Sequence, residues 1–75
     1  MAQAVLTVVP GKQPDLADAV GLAAVMKYKA RIYDWRLAGS PGGISVILND
    51  NAASNQRLEI AGEFKALGYN VIEVP

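Results

Sequence analysis

The chain has 75 residues, 52% of them hydrophobic and 19% charged, which predicts a single folded domain over residues 1–75 and excludes intrinsic disorder. It contains no cysteine and no histidine, which excludes disulfides, thiolate zinc sites and cysteine nucleophiles and removes the usual general base. A net charge of zero argues against generic binding to nucleic acids or anionic membranes. Because the chain has no signal-like segment and no apolar run of membrane length, we expect a cytoplasmic protein.

The first quarter of the chain predicts a strand followed by a helix. Residues 2–9 are apolar on both alternating faces, which is typical of a strand in the middle of a sheet. Pro10 and Gly11 end this strand. The helix is predicted to begin at Pro14, because proline suits the first helical turn and Asp15 suits the positive end of the helix dipole.

The centre of the chain predicts a β-hairpin. Residues 30–37 mix charged and aromatic side chains, as expected of a partly exposed edge strand. Residues 44–49 are again apolar on both faces and predict a second central strand. We interpret the segment between them as a hairpin turn and not a phosphate-binding loop, because no helix follows it. Its turn-forming residues are Ser40, Pro41, Gly42 and Gly43.

The last third predicts a helix and a strand, and completes a recognisable order of elements. The helix start is predicted only to within one turn, and Gly68 is predicted to stop the helix in a left-handed conformation before a strand at residues 69–74. The order β-α-β-β-α-β predicts an α+β ferredoxin-like sandwich, a four-stranded antiparallel sheet with two helices on one face. Right-handed crossovers place the first and third strands in the middle of the sheet.

One face of this sheet is left without helices, although both central strands carry apolar residues on it. So short and apolar a chain cannot bury them all by itself. We therefore expect a homodimer or higher oligomer, or burial against a larger protein target.

Three segments carry a family resemblance: VLTVVPGKQPDL, the alanine-rich helix leading into ARIYDW, and the ending EFKALGYNVIEV. They are similar to the ACT domain, a small ferredoxin-like module that regulates amino-acid metabolism. The resemblance implies a non-enzymatic regulatory module that forms homodimers and binds a small ligand, usually an amino acid, between paired domains.

The resemblance also implies where a ligand would bind, namely the loop after the first strand and the start of the second strand. Pro14 matches the family pattern, whereas Asp15 stands where glycine is typical and Arg31 where asparagine is common. A side chain at Asp15 crowds the close backbone approach that glycine allows. The implied ligand-binding residues are Gly11, Lys12, Gln13, Pro14, Asp15, Leu16 and Arg31.

Basic and aromatic residues are interleaved over residues 27–36, which hold four of the seven basic residues. Since Trp, Tyr and Arg are enriched in protein-binding hot spots, one hypothesis assigns this strand to a protein interface, and the other regards it as an ordinary edge strand. Binding of single-stranded nucleic acid is not predicted, because the two central strands carry no aromatic residue for stacking. The candidate interface residues are Arg31, Tyr33, Trp35 and Leu37.

No enzyme activity, catalytic residue, cofactor or metal site is predicted, because nothing in the sequence brings acidic side chains together with a nucleophile. Two hypotheses of function stay open. The first is a homodimeric regulatory module that senses a small ligand. The second is a small interaction protein, such as an inhibitor or adaptor, that docks a larger target through the open sheet face or the Tyr33 and Trp35 edge.

Overall fold

The computed structural model describes residues 4–39 and 42–74 and confirms the predicted order of elements. The four strands form one sheet in the order β2-β3-β1-β4, and each neighbouring pair is antiparallel. The ferredoxin-like topology and the central position of the first and third strands are therefore confirmed. The elements are β1 (Val5–Val9), α1 (Ala17–Tyr28), β2 (Asp34–Ala38), β3 (Gly43–Ile47), α2 (Ser54–Ala66) and β4 (Asn70–Val74).

The hydrophobic core lies between the sheet and the two helices. Leu6 pairs with Val46 and Val8 pairs with Ile44, and all four side chains are buried beneath the helices. Phe64 of α2 is fully buried against them. Burial of such aliphatic and aromatic side chains contributes about 1.5–3 kcal/mol each. The alternate residues of β1 and β3 consequently point to the helix-free face.

The start of α1 differs from the prediction. The helix begins at Ala17, so the predicted start at Pro14 is wrong and Pro14 lies in the preceding loop. Asp15 explains the difference, since its Oδ1 accepts a hydrogen bond from the Ala17 N–H at 3.0 Å. Such a bond from a side chain to a backbone group two residues along favours a turn over a helix.

The end of α2 confirms the predicted stop at Gly68. Gly68 has φ of 98°, and its N–H donates to the carbonyl of Lys65 at 2.9 Å. The Tyr69 N–H donates to the carbonyl of Phe64 at 3.3 Å. These two bonds form a Schellman motif, which satisfies carbonyls that have no partner inside the helix.

A Schellman motif at the end of α1 delays the second strand. The N–H groups of Ala30 and Arg31 donate to carbonyls of the last helical turn at 3.0 and 2.9 Å, so they cannot join a strand ladder. Ala30 adopts φ of 59°, which is uncommon for a residue with a Cβ atom. Strand β2 therefore begins at Asp34, and the predicted start at residue 30 is wrong.

The hairpin between β2 and β3 is confirmed, because Ala38 pairs with Gly43. Gly42 has φ of 87°, as a tight turn of this kind requires. Residues 2 and 3 of the first predicted strand, and Ser40 and Pro41 of the predicted turn, lie outside the described residues.

Candidate functional site

The sheet face opposite the helices carries four apolar residues around two central hydroxyl side chains. Thr7 pairs with Ser45 on one side and with Ile72 on the other, and Val5 pairs with Ile47. These residues alternate with the buried core residues and so lie together on the helix-free face. Ile72 is 55% exposed and the other four are half-buried. We call the surface formed by Val5, Thr7, Val9, Ser45, Ile47 and Ile72 the open face.

A depression of ≈ 330 Å³ lies on the open face, over strand β3 and the edges of its two neighbours, β2 and β1. Its lining residues are Val5, Arg36, Ser45 and Ile47. Ser45 is small, whereas Thr7 beside it on β1 and Ile47 on β3 are branched, so the surface is hollow around Ser45. Arg36 is exposed at the outer rim, on the edge strand β2. The arrangement therefore offers a shallow hollow lined by two aliphatic side chains, one hydroxyl and one cation.

The loop predicted to bind a ligand is occupied by contacts within the chain. A Cβ atom on Gly11 would lie 2.6 Å from the Gly68 carbonyl oxygen, so close backbone packing within the chain requires glycine there. The Lys12 N–H donates to the same carbonyl at 2.9 Å. Gln13 Nε2 donates to Asp18 Oδ2 at 3.3 Å, and Leu16 packs against the core.

Arg31 lies at the other end of the domain from this loop. The loop follows the end of β1, whereas Arg31 precedes Asp34, which aligns across β3 with Val5 at the start of β1. The structure thus does not bring Arg31 and the loop together within one chain. Whether either contacts a ligand stays a prediction.

The Arg31 guanidinium is held by an acidic residue of α2. Its Nη1 donates to Glu63 Oε1 at 3.1 Å and its Nη2 donates to Glu63 Oε2. This hydrogen bond is the main cause that lowers the pKa of Glu63 and raises that of Arg31. The pKa of Glu63 is lower in the folded state than in the unfolded state. The stability that the ion pair gives the fold is therefore fully present above the pKa of Glu63 in the unfolded chain, and it is lost as the pH falls through the pKa of Glu63 in the folded chain. Both side chains are about one-third exposed, so solvent screening keeps the gain near or below about 1 kcal/mol.

A polar cleft of ≈ 460 Å³ adjoins this ion pair. It lies between the turn after α1 and the loop before α2, where Asn49 Nδ2 donates to the Ala30 carbonyl at 3.2 Å. The cleft is lined by side chains of three chemical kinds: the cation of Arg31, the amide of Asn51 and the carboxylate of Glu59.

The four residues of the predicted edge interface do not form one exposed surface. Tyr33 and Leu37 are 61% and 67% exposed, in keeping with a surface role. Trp35 is half-buried and packs against the core, and Arg31 is not on strand β2. Asp34, at the start of β2, accepts a hydrogen bond from Lys27 of α1 at 3.0 Å, which is the main cause that lowers the pKa of Asp34.

Sequence reasoning identified the open face but did not name its residues. Ile72 and Arg36 were missed, because their position on that face follows only from the register of the edge strands. The signal that could have located them is the two-residue alternation counted from the central strands. Glu63 as the partner of Arg31 had no sequence signal, since it depends on how α2 packs beside the turn after α1.

Within residues 4–39 and 42–74, there is no cluster of three or more Asp and Glu residues that could hold a metal ion. No helix in the same part of the chain is long and apolar enough to cross a membrane. Comparison with known proteins identifies no matching family model, no significantly similar curated protein and no significantly similar solved structure.

Proposed function

We propose that this chain is a non-enzymatic regulatory module that works by association, and that its docking surface is the open face. The observation that supports the proposal is the apolar band of Val5, Ile47 and Ile72, which runs across three strands and is covered by neither helix. An uncovered apolar patch of this kind marks an association surface in soluble proteins. Self-association is the simplest use of it, because every copy supplies the complementary face.

The size of the open face limits the strength of the association. Four strands about 4.8 Å apart, with five residues rising about 3.3 Å each, cover roughly 300 Å² in projection. Two copies then bury somewhat more than about 600 Å² together, below the roughly 1,200–2,000 Å² of stable protein interfaces. We expect a reversible homodimer with a dissociation constant in the micromolar range or higher, so that the monomer dominates at lower concentrations.

The test replaces one exposed apolar residue on each side of the molecule by lysine. Ile72→Lys places a charge on the open face, and we expect it to weaken the dimer at least tenfold, because the charge must be desolvated in the interface. Leu58→Lys is the matched control, since Leu58 is 71% exposed on α2 and lies away from the sheet. Sedimentation equilibrium over a wide concentration range measures both variants.

Two outcomes would contradict the proposal. The first is a wild-type chain that remains monomeric up to millimolar concentration, which would favour docking to a larger target. The second is a dimer that Leu58→Lys disrupts and Ile72→Lys leaves intact, because such a dimer would be formed by the helices.

A second candidate function, sensing of a small ligand, is favoured by the polar cleft beside Arg31. A volume of ≈ 460 Å³ is within the range of small-molecule sites, and Arg31, Asn51 and Glu59 line the cleft. Arg31 is paired with Glu63 and lies 3.7 Å from Glu59, so an anionic end of a ligand would bind Arg31 in competition with these two carboxylates. An amino acid is therefore the ligand class to test, at the cleft instead of the loop that the resemblance implies.

A thermal-shift screen against the standard amino acids tests this candidate function. A ligand at about a hundred times its dissociation constant adds about 2.7 kcal/mol of stability. We expect Asn51→Ala, in the cleft, to reduce the shift, and Gln13→Ala, in the loop, to leave it unchanged. The absence of any shift, or a shift reduced only by Gln13→Ala, would contradict a ligand site in the cleft.

A further inference from the structure

Strand β2 is an edge strand, because it is the last in the order of the four strands. In an antiparallel sheet the backbone groups of successive residues point alternately to the two sides of their strand. The Tyr33 N–H donates to the Ile47 carbonyl at 2.9 Å, and Ile47 pairs with Asp34. The backbone of Asp34 therefore faces β3. By alternation, Trp35 and Leu37 are the residues of β2 whose N–H and carbonyl groups face away from the sheet, along what we call the outer edge of β2.

One backbone donor of the outer edge is already bonded within the chain. Asp34 Oδ1 accepts a hydrogen bond from the Trp35 N–H at 2.8 Å. The carbonyl oxygen of an added strand would lie about 2.9 Å from that N–H, so the carboxylate occupies its place. Lys27 Nζ of α1 lies 3.0 Å from the same Oδ1 and fixes the carboxylate in this position.

We propose that Asp34 makes an autoinhibitory contact: its carboxylate, fixed by Lys27, closes the outer edge of β2 to pairing with a second copy of this chain. This inference goes beyond the proposed function, because it concerns the edge of the sheet and not the open face. A partner that docks at the Tyr33 and Trp35 edge would then contact side chains, since the backbone of β2 does not accept an added strand.

One carboxylate is sufficient because the outer edge is short. Within β2, only Trp35 and Leu37 have outward-facing backbone groups, and the strand ends at Ala38 before the hairpin turn. A strand added at Trp35 would bring its carbonyl oxygen against a negatively charged group and would have to displace Asp34 from Lys27. Pairing at Leu37 alone would leave too few hydrogen bonds for a stable strand pair. Charged side chains on edge strands commonly prevent association in this way.

The side chains along the same edge would otherwise favour pairing. Tyr33 and Leu37 are 61% and 67% exposed. An antiparallel pair of two β2 strands centred on Trp35 would place Tyr33 of each copy opposite Leu37 of the other. In this register the two Trp35 residues would exchange reciprocal hydrogen bonds from N–H to carbonyl. Because exposed apolar residues on an edge strand promote such pairing, removal of the block should reveal it.

The test compares three variants in a parent chain that carries Ile72→Lys, so that association through the open face does not contribute. Asp34→Ala removes the block, and we expect it to strengthen self-association about tenfold, because each copy gains a free Trp35 N–H. Asp34→Asn is the conservative variant, and we expect weaker association than with Asp34→Ala, since the amide oxygen can still accept from Trp35. Glu73→Ala is the matched control, because it also removes an edge-strand carboxylate and its ion pair, here with Arg57 at 3.2 Å.

Sedimentation equilibrium measures self-association, and urea unfolding shows whether each variant is folded. Amide hydrogen exchange gives the local readout. With Asp34→Ala, exchange at Trp35 should slow as protein concentration rises, whereas exchange at Arg36, whose backbone faces β3, should not respond. In the wild type, exchange at Trp35 should be slower than in the unfolded chain at every concentration, because Asp34 holds the N–H. This last measurement needs no variant and decides the case if Asp34→Ala does not fold.

Three results would overturn the proposal. The first is that Asp34→Ala associates no more strongly than the parent chain. The second is that Glu73→Ala or Asp34→Asn associates as strongly as Asp34→Ala. The third is that the Trp35 amide of the wild type exchanges as fast as in the unfolded chain. None of them bears on the proposed function, which is judged by the dimerisation of the wild type and its loss with Ile72→Lys.

Discussion

Replacing Gly43 by alanine is expected to destabilise the fold by roughly 2–3 kcal/mol. Gly43 is buried at the start of β3, and a Cβ atom there would lie 2.3 Å from the Val8 carbonyl oxygen of β1. The neighbouring atom is backbone in the middle of the sheet, so it cannot move aside as the end of a flexible side chain could. The added methyl group must therefore push apart the two central strands.

The matched control for this substitution is Gly62→Ala. Gly62 lies on the exposed side of α2, and a Cβ atom there meets nothing within 4 Å. Alanine in an exposed helical position should stabilise the protein by about 0.5–1 kcal/mol, because it restricts the unfolded chain and favours the helix. The two variants add the same methyl group and are expected to change stability in opposite directions.

Urea unfolding at one fixed protein concentration measures both variants, since association would otherwise shift the apparent stability. For a domain of this size each kcal/mol corresponds to about 4–8 °C in melting temperature, so thermal unfolding should show a fall of at least about 8 °C for Gly43→Ala. If Gly43→Ala melts within 2 °C of the wild type, the two central strands separate at no cost in stability, which would contradict the close approach of Gly43 to the Val8 carbonyl.

The sequence predicted the fold well because the decisive signal was global. Apolar residues on both faces of the first and third strands, together with the order of elements, left the ferredoxin-like topology as the consistent solution. That signal does not depend on where any one helix or strand begins.

The errors came from local hydrogen bonds that override propensity. Pro14 is a suitable residue for a first helical turn, but the Asp15 carboxylate bonds to the Ala17 N–H and holds the chain in a turn for three more residues. Arg31 is in an alternating pattern, but its N–H completes the Schellman motif of α1. Neither bond can be inferred from periodicity, because both depend on the conformation of a few residues at an element boundary.

The candidate site was predicted as a surface and not as a set of residues. The open face followed from two helices covering one side of a sheet with apolar central strands. Two residues of this face, the exposed Ile72 and Arg36, are on the edge strands, where the sequence alone does not fix the register. Trp35, which the sequence predicts for an interface, is turned towards the core, because its neighbour across the strand pair is the buried Val46.

Tyr69→Phe is expected to destabilise the fold by about 2 kcal/mol although it removes a single oxygen atom. Tyr69 is 3% exposed, and its hydroxyl makes two hydrogen bonds to the start of α1. It donates to the Asp15 carbonyl at 2.9 Å and accepts from the Ala19 N–H at 3.2 Å. Phenylalanine would leave a buried donor and an acceptor unsatisfied.

The effect follows from how α1 begins. Its N-cap residue is Leu16, whose side chain cannot accept a hydrogen bond, so the free N–H groups of the first turn need acceptors from elsewhere. The hydroxyl of Tyr69, the residue before β4, is such an acceptor. Loss of this group should therefore weaken both the helix start and its attachment to the far edge of the sheet.

Tyr33→Phe is the matched control, because Tyr33 is 61% exposed and the same oxygen is removed at the surface. We expect it to unfold at the urea midpoint of the wild type. Amide hydrogen exchange supplies a local readout, since Tyr69→Phe should speed exchange at Ala19 more than at Phe64, which lies in the middle of the core. If the stabilities of the two variants coincide and exchange at Ala19 is unchanged, the Tyr69 hydroxyl does not cap α1, and the junction between the two halves of the fold must be held by apolar packing alone.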